Sequence, residues 1–263
     1  MKTIDITPQD MLLIYLLLII PLGISFWLGL GIIKDTIISV LRMTIQLILV
    51  GIYLDVIFRI NSLTLNIVWI LVMLVVANIS ILRQSGLALK RLFPLTFFGT
   101  TIAVAIVASV FVGLVIAPTP LYDARYLIPI AGMVMGNCMR GNVIALERFY
   151  SGIRRNEKEF ITYQMLGATL PEATRPYMRS ALRASVGPML ATIATLGIVS
   201  LPGMMTGQIL GGSSPMLAIK YQIAIMLSIF CAMVTASALS IIFTRKTAFD
   251  AYGMLRPEIF SKQ

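Results

Sequence analysis

Long apolar stretches separated by short polar segments occupy most of the 263-residue chain. A segment of about 20 mostly apolar residues can cross about 30 Å of hydrocarbon, and seven stretches have that length: 11–31, 36–58, 63–82, 95–117, 127–146, 187–210 and 217–243. Backbone polar groups inside a bilayer must bond within the chain, so each stretch is predicted to be helical. The pattern predicts an all-α polytopic membrane protein with about seven transmembrane helices, forming one domain over residues 1–263.

Positive charges are distributed unevenly between the connecting segments. If the N-terminus lies outside, the outer segments contain only Lys2, Arg59, Arg125 and Lys220, the spans contain Arg42 and Arg140, and the other 15 of the 21 Lys and Arg residues lie inside. Basic loops are retained on the cytoplasmic side of a membrane. We therefore predict an N-out, C-in orientation, with the long polar segment 147–186 in the cytoplasm.

Composition supports a multi-pass protein of the cell (inner or plasma) membrane. Apolar residues make up 58% of the chain and charged residues 12%, whereas soluble domains average about 45–50% and about 25%. The net charge is +10, and the basic residues that produce it lie between apolar runs. No stretch interleaves them with exposed aromatic residues, as a nucleic-acid-binding surface would. The expected partner is therefore the lipid bilayer and not nucleic acid. There is no histidine, and Cys138 and Cys231 lie in apolar runs, where a structural disulfide is not expected.

The cytoplasmic segment contains two helix-capping patterns. Asn156 with Glu159 predicts the start of one helix, and Thr169 with Glu172 predicts the start of a second. Gly167 occupies the position of a left-handed C-terminal cap between them. The resulting helix–turn–helix has the turn residues Met165, Leu166, Gly167, Ala168 and Thr169. It is either an amphipathic loop in the lipid interface or a docking element for a soluble partner.

Polar residues inside the predicted spans are candidates for a transport pathway. Arg42 and Gln46 are four residues apart on the second span, and a charge in hydrocarbon usually faces a partner or a water-filled cavity. Arg42 also lies near enough to the inner end for its side chain to reach the interface instead. Asn137 and Asn142 on the fifth span are further candidates for polar pathway contacts.

Sulfur-containing and small residues cluster on the fifth and sixth spans. Met133, Met135 and Cys138 precede Met204 and Met205 in the chain; such soft ligands suit Cu(I), although most methionines in apolar chains pack. No chelating metal site is predicted. Small residues recur at a spacing of four, which favours close helix packing, and Pro202 before Gly203 should weaken the sixth helix. The hinge or packing candidates are Gly132, Gly136, Pro202, Gly203 and Gly207.

Several segments resemble one known family. They are IPIAGMVMGN at 128–137, VSLPGMMTG at 199–207, IKYQ at 219–222, Arg42 with Gln46 and Gly51, and the turn Leu166–Thr169. The chain is similar in these segments, in order and in length, to the Fet-type ABC permeases, which include a bacterial iron-export permease and plant permeases linked to aluminium tolerance.

The resemblance implies a membrane-spanning permease subunit that exports iron or another metal. It implies a permease homodimer with two separately encoded ATPase subunits, docked at the cytoplasmic turn. ATP and Mg would be bound by those ATPases, and no cofactor is expected in this chain. Consistently, the sequence contains no G-x-x-x-x-G-K-[ST] loop, the motif that cradles phosphates in P-loop ATPases.

Two other functions fit the sequence less well. An ion-coupled secondary transporter for a small solute is disfavoured because the span interiors contain no histidine and no central acid. An intramembrane enzyme is disfavoured because H-E-x-x-H, paired aspartates and a G-x-S-x-G elbow are lacking. The sequence thus predicts a transporter subunit that is not itself an enzyme.

Overall fold

The computed structural model of the protein describes residues 7–261, and the regular elements in that range are helices joined by turns and isolated bridges. The predicted all-α membrane fold is confirmed. Within residues 7–261, five segments are long and apolar enough to cross a membrane: Gln9–Trp27, Ile33–Ile60, Leu63–Gln84, Leu89–Ile116 and Pro215–Ala248. The count of seven and the orientation stay predictions, and Lys2 and Lys262 of the charge count lie outside the described residues.

The first predicted span forms two short helices, α1 (Pro8–Leu16) and α2 (Ile19–Trp27). Pro21 has no amide hydrogen to donate to the carbonyl of Leu17, so the regular α-helical ladder cannot continue there. Leu17 and Ile20 instead close tighter turns, donating to Ile14 at 3.1 Å and to Leu17 at 3.2 Å. α3 (Ile33–Ile60) follows, and Asn61 ends it in a left-handed conformation with φ 42°.

The remaining helices form the packed part of the molecule. They are α4 (Leu63–Gln84), α5 (Leu89–Val110) with a π-helical continuation Phe111–Ile116, α6 (Ala124–Arg155), α7 (Glu157–Met165), α8 (Leu170–Thr195), α9 (Gly203–Leu210) and α10 (Pro215–Ala248). A short 3₁₀ helix, Pro257–Ile259, follows near the end of the described chain. The fifth predicted span lies inside α6, which continues nine residues past position 146 into the predicted cytoplasmic segment.

The sixth predicted span, 187–210, is not one helix. α8 ends at Thr195 and α9 begins at Gly203. Between them Gly197 adopts φ 84°, and its amide donates to the carbonyl of Ser200 at 3.0 Å, forming a tight turn. Pro202 then precedes the first residue of α9. Because α8 already begins at Leu170, the second predicted cytoplasmic helix and the first part of the sixth span form one continuous helix.

Two buried clusters hold the bundle together. One lies among α4, α5, α6, α8 and α10 and contains Val134, Met135, Cys138 and Met233. The other lies at the end of the bundle where α6 meets α7, and it contains Phe149, Tyr150, Phe160 and Phe249. α5 and α10 approach closely, since a Cβ added to Gly99 would lie 3.1 Å from the backbone nitrogen of Ser240. These clusters make α4, α5, α6 and α10 the rigid centre of the protein.

The C-terminal segment covers the same end of this bundle. The amide of Ala88 donates to the carbonyl of Ile259 at 2.7 Å, and the amide of Ser261 donates to that of Gly86 at 2.9 Å. The Arg91 guanidinium pairs with the Glu258 carboxylate. The tail is thereby tied to the turn between α4 and α5.

The N-terminal helices are packed much less tightly. Most side chains of α1, α2 and α3 are exposed at the protein surface. The Tyr15 hydroxyl lies 2.6 Å from that of Thr44, linking α1 to α3. Near the C-terminal end of α3, Ile57 is buried against Ala124 and Ile128 of α6. In a membrane this exposed apolar surface is covered by lipid or by another polypeptide.

Candidate functional site

The turn between α7 and α8 has a fixed backbone. Gly167 adopts φ 89°, a region that costs little only for glycine. Its amide donates to the carbonyl of Gln164 at 2.9 Å, and the amide of Ala168 donates to that of Tyr163 at 3.0 Å. These two bonds are the Schellman arrangement that satisfies the last carbonyls of a helix. The left-handed C-cap inferred from the sequence is therefore present at Gly167.

A capping box fixes the start of α8. The backbone amide of Thr169 donates to the Glu172 carboxylate at 2.8 Å, and the Thr169 hydroxyl donates to it at 2.6 Å. These bonds favour the charged form, so they lower the pKa of Glu172 below its ordinary value of 4.5. The turn is therefore secured on both sides, by a glycine cap behind it and by a capping box ahead of it.

The capping pattern predicted for α7 does not form, although the helix begins at Glu157 as expected. The Asn156 side-chain amide points back along α6 and donates to the carbonyl of Gly152 at 3.0 Å. Glu159 instead accepts the Tyr163 hydroxyl at 3.0 Å. The prediction was wrong because α6 continues to Arg155, and its last turn offers the Asn156 side chain an acceptor.

α7 is anchored to the bundle through Phe160. This ring is buried, with its centroid 6.2 Å from that of Tyr177 on α8 and 5.7 Å from that of Phe249 after α10. Burial, together with the nearby charge of Glu159, raises the pKa of Tyr177 to about 12. The phenol therefore remains neutral at physiological pH and packs as an aromatic anchor.

The side chains at the tip of the turn project away from this anchor. Met165 is 82% exposed and Leu166 is 81% exposed. Most long apolar side chains on the predicted spans have lipid to cover them, whereas these two lie in the most polar segment of the chain. A rigid turn that displays two large apolar side chains is a suitable element for insertion into a pocket of another protein. We call residues 165–169 the coupling turn.

α8 adds a basic surface beside the coupling turn. Arg175, Arg179 and Arg183 recur every four residues and share one exposed face of the helix. With Glu172, Pro176 and Ser180 they line an open depression of about 520 Å³. The end of the molecule that carries the coupling turn thus presents apolar tip residues next to a positively charged helix face.

A second candidate region lies within the predicted spans. Gln46 of α3 and Gly132, Met135 and Gly136 of α6 all line an open groove of about 710 Å³ between α3, α4 and α6. Met43, Met73 and Met139 also contribute to its wall. The groove is mostly apolar, and Gln46 and Ser80 contribute polar side chains to it. The structure therefore brings together four of the residues singled out from the sequence.

Arg42 lies one helical turn from Gln46 towards the N-terminal end of α3, and its side chain is exposed. No ion pair or hydrogen bond from its guanidinium is present among residues 7–261. It is not among the residues that line the groove. Its position leaves both sequence interpretations open, since an exposed α3 residue can face a second polypeptide or reach the membrane interface.

Two other candidates on α6 do not line this groove. Cys138 is fully buried in the central cluster. The Asn137 side-chain amide donates to the carbonyl of Met133 at 2.8 Å, within its own helix. Met133 packs at the edge of the central cluster.

The candidates on α9 lie at the edge of the molecule. Met204 packs against the central cluster, and Met205 is half-buried. A Cβ added at Gly136, Gly203 or Gly207 would meet nothing within 4 Å, and one at Gly132 would lie 3.1 Å from Met73 Cε. Close approach to α10 occurs instead at Gly99, facing Ser240, and at Gly141, facing Met233. Which of several regularly spaced glycines makes a tight contact is decided by the tertiary arrangement.

The methionine and cysteine candidates are consequently divided between the groove, the central cluster and α9. Among residues 7–261, no three His, Cys, Asp or Glu side chains are grouped so that they could hold a metal ion. A chelating site built from those side chains is therefore not found in the part of the chain that the structure describes.

Sequence reasoning missed most members of a series of buried, hydrogen-bonded polar side chains that links three helices. Asn78 of α4, Thr100 of α5 and Asn142 of α6 are fully buried and hydrogen-bonded in series. The side-chain oxygen Oδ1 of Asn142 and the hydroxyls of Ser237 and Ser240 on α10 are buried without a hydrogen-bond partner among the described residues. The signal available in the sequence was an Asn within an apolar span, which marks a residue facing protein rather than lipid.

Comparisons with known proteins agree with this architecture. A family model described as "Uncharacterised protein family (UPF0014)" matches residues 8–249. The chain is 32% identical over 256 residues to "UPF0014 membrane protein YjkA" of Bacillus subtilis, covering 96% of this chain and 98% of that protein. It is 31% identical over 242 residues to "Probable iron export permease protein FetB" of Escherichia coli, covering 92% and 91%.

A plant relative matches a shorter part of the chain. "Protein ALUMINUM SENSITIVE 3" of Arabidopsis thaliana is 36% identical over 140 residues, which is 53% of this chain and 51% of that protein. No solved structure matches the chain.

Proposed function

The chain belongs to the UPF0014 family of membrane proteins, and from that premise we propose that it is the membrane-spanning permease subunit of an ABC transporter. In this proposal a separate ATPase binds and hydrolyses ATP with Mg. The permease converts the ATPase's movements into opening and closing of a path across the bilayer.

The observation that carries this proposal is the coupling turn. An ATPase on the inner side can move the spans only through a mechanical contact in which both the ATPase surface and the permease surface are stiff. Gly167 and the Thr169–Glu172 capping box hold the turn in shape, and Phe160 joins α7 to α8 and to the end of α10. Met165 and Leu166 provide exposed side chains to fill a pocket on the ATPase.

The proposed cargo is iron or another metal, carried outwards. The support is the printed description of the Escherichia coli relative as an iron export permease. Because the described residues group no three His, Cys, Asp or Glu ligands, the cargo would pass through transient polar contacts instead of a chelating cage. Gln46 in the groove and Arg42 beside it are our candidates for such contacts.

We further propose that two copies of the permease assemble with two ATPase subunits. The support is the loose attachment of α1, α2 and α3, whose exposed apolar faces and exposed Arg42 suit a second polypeptide. A partner helix on the open side of the groove would enclose it and would shield Arg42 and Gln46 from lipid.

Reconstitution tests the proposal directly. The permease is placed in liposomes with the ATP-binding-cassette protein encoded nearest to its gene, and transport of Fe²⁺, Mn²⁺, Cu⁺ and Al³⁺ is followed with and without ATP. We expect ATP-dependent movement of at least one metal, in the direction from the ATPase side to the opposite side. Metal movement that needs an ion gradient and no ATPase would instead establish a secondary transporter.

A further inference from the structure

A second rigid loop lies directly beside the coupling turn. After α10 the chain reverses, and Phe249 and Leu255 form an antiparallel bridge. Inside this reversal the Asp250 side chain accepts the amides of Tyr252 at 2.9 Å and Met254 at 2.8 Å. The amide of Asp250 donates to the carbonyl of Met254 at 2.9 Å. We call residues 249–255 the C-terminal hairpin.

The C-terminal hairpin is fastened to α7. The side-chain amide of Gln164 donates to the carbonyl of Gly253 at 3.0 Å. Gly253 adopts φ 76°, and a Cβ added there would collide with the Gln164 amide. Phe249, at the base of the hairpin, is the residue that packs against Phe160. The hairpin and the coupling turn therefore form one unit, joined at Gln164, the residue immediately before Met165.

Both loops present large apolar side chains to their surroundings. Tyr252 at the tip of the C-terminal hairpin is 88% exposed, which resembles the exposure of Met165 and Leu166. All other side chains of the hairpin that carry rings or long aliphatic groups are at least partly buried. Tyr252 thus lies on the same structural unit as the coupling turn with nothing covering it among the described residues.

The position of this unit favours a soluble protein over lipid as the occupant. α6 runs nine residues past its apolar stretch, about 13 Å at 1.5 Å per residue. α8 contains 17 residues, 170–186, before the apolar sequence resumes, which is about 25 Å along the helix. The tips therefore lie well beyond the hydrocarbon boundary. Arg154, Arg155 and Lys158 near the junction of α6 and α7 would complement an acidic rim on the partner.

We propose that the C-terminal hairpin and the coupling turn form one two-part docking surface for the ATPase, with Tyr252 filling a second pocket next to the one that receives Leu166. This inference rests on the proposed function. A partner that grips both loops holds α7 and the end of α10 together, so it moves two elements of the inner cluster at once. Tyrosine suits this task because it offers a large ring with few rotatable bonds.

The test uses the full-length permease in nanodiscs and the neighbouring ATP-binding-cassette protein as the probe. Tyr252→Ala should weaken binding of the probe by about tenfold or more, as truncation of a central aromatic anchor does, while Tyr252→Phe should retain most of the affinity. Tyr126→Ala removes a partly exposed tyrosine at the opposite end of α6 and is the matched control. A photo-crosslinking phenylalanine analogue at position 252 should form a covalent adduct with the probe.

The outcomes separate this inference from the proposed function. If wild-type permease and Tyr252→Ala bind the probe equally while Leu166→Asp does not, the hairpin proposal is overturned and the permease assignment stands. If the wild-type protein binds no cassette protein, both are overturned. If Tyr252→Ala converts the permease dimer to a monomer while probe binding is unchanged, a second permease copy is the occupant and the hairpin proposal is overturned. A permease–permease crosslink from position 252 would have the same meaning.

Discussion

Asn142 on α6 donates a hydrogen bond of 3.3 Å to the hydroxyl of Thr100 on α5, and this hydroxyl lies 3.3 Å from the side-chain oxygen of Asn78 on α4. All three side chains are fully buried. The series spans three helices of the central bundle and ends in Asn78, which donates to the carbonyl of Leu74 at 2.8 Å. A polar connection of this kind fixes how the helices are rotated against one another, because apolar packing in a bilayer gives weak rotational preference.

Replacement of Asn142 by alanine should destabilise the bundle. The loss of its hydrogen bond to Thr100 and of packed volume should cost about 1–2 kcal/mol, or a few degrees in the thermal midpoint. Asn137→Ala is the matched control, because the Asn137 amide contacts only a carbonyl of its own helix. Thermal unfolding in detergent, followed by tryptophan fluorescence, measures both variants. Equal midpoints for the two would show that the link between helices contributes nothing.

Arg42 should matter for transport and not for folding. Its side chain is exposed on α3 and makes no hydrogen bond or ion pair within the described chain. If it faces the cargo or a second permease copy, Arg42→Ala should lower the transport rate by about tenfold or more at normal expression, and Lys should restore only part of it. Full activity of both Arg42→Ala and Arg42→Lys would mean that the guanidinium only reaches the membrane interface.

The sequence predicted the positions of the most apolar helices well. α4 occupies Leu63–Gln84 where 63–82 was expected, and α10 encloses the predicted 217–243. Hydropathy reports which residues prefer lipid but not whether the helix is continuous. Pro202 before Gly203 indicated a weak point in the sixth span, but the full extent of the interruption, from Thr195 to Gly203, and the extension of α6 to Arg155 were located only by the structure.

Local features of the candidate site were also predictable, whereas its long-range contacts were not. Gly167 and the Thr169–Glu172 capping box depend on neighbouring residues and could be inferred from spacing. The bond between Gln164 and Gly253 joins residues 89 positions apart, and no local pattern encodes that distance. The same applies to the Asn78–Thr100–Asn142 series, whose members become partners only when three helices pack together.

The N-out, C-in orientation predicts which cysteine variants are accessible from each side. In a Cys231→Ser background, the exposed positions of Lys158→Cys on α7 and Thr119→Cys between α5 and α6 are compared. A membrane-impermeant maleimide added to intact cells should label Thr119→Cys and not Lys158→Cys, with both labelled after permeabilisation. The reverse labelling pattern would place the coupling turn on the outer side and remove the contact with an ATPase.

Acid should loosen the start of α8. The Thr169 bonds lower the pKa of Glu172, so the charged carboxylate stabilises the folded capping box above the ordinary glutamate pKa, and this contribution is lost as the pH falls through the lowered folded value. Hydrogen exchange of the first α8 amides should therefore accelerate in Glu172→Gln relative to wild type at pH 7. The difference should shrink below about pH 4. An equal difference at both pH values would show that the charge of Glu172 plays no part.

The shape of the coupling turn should be essential for its action. Gly167 has φ 89°, and a β-branched residue in that region costs about 1–2 kcal/mol. This is enough to distort the turn but not to unfold the bundle, because nothing lies within 4 Å of a Cβ at this position. Gly167→Val should therefore insert into the membrane normally, while its stimulation of ATP hydrolysis by the partner falls by about tenfold or more.

Gly187→Ala is the matched control, since it lies within α8, has open space around its Cβ and does not adopt positive φ. Co-purification and ATP hydrolysis in nanodiscs measure both variants. Full stimulation by Gly167→Val would mean that the ATPase contacts some other part of the inner surface. Equal loss of stimulation in both variants would point to a general perturbation of α8.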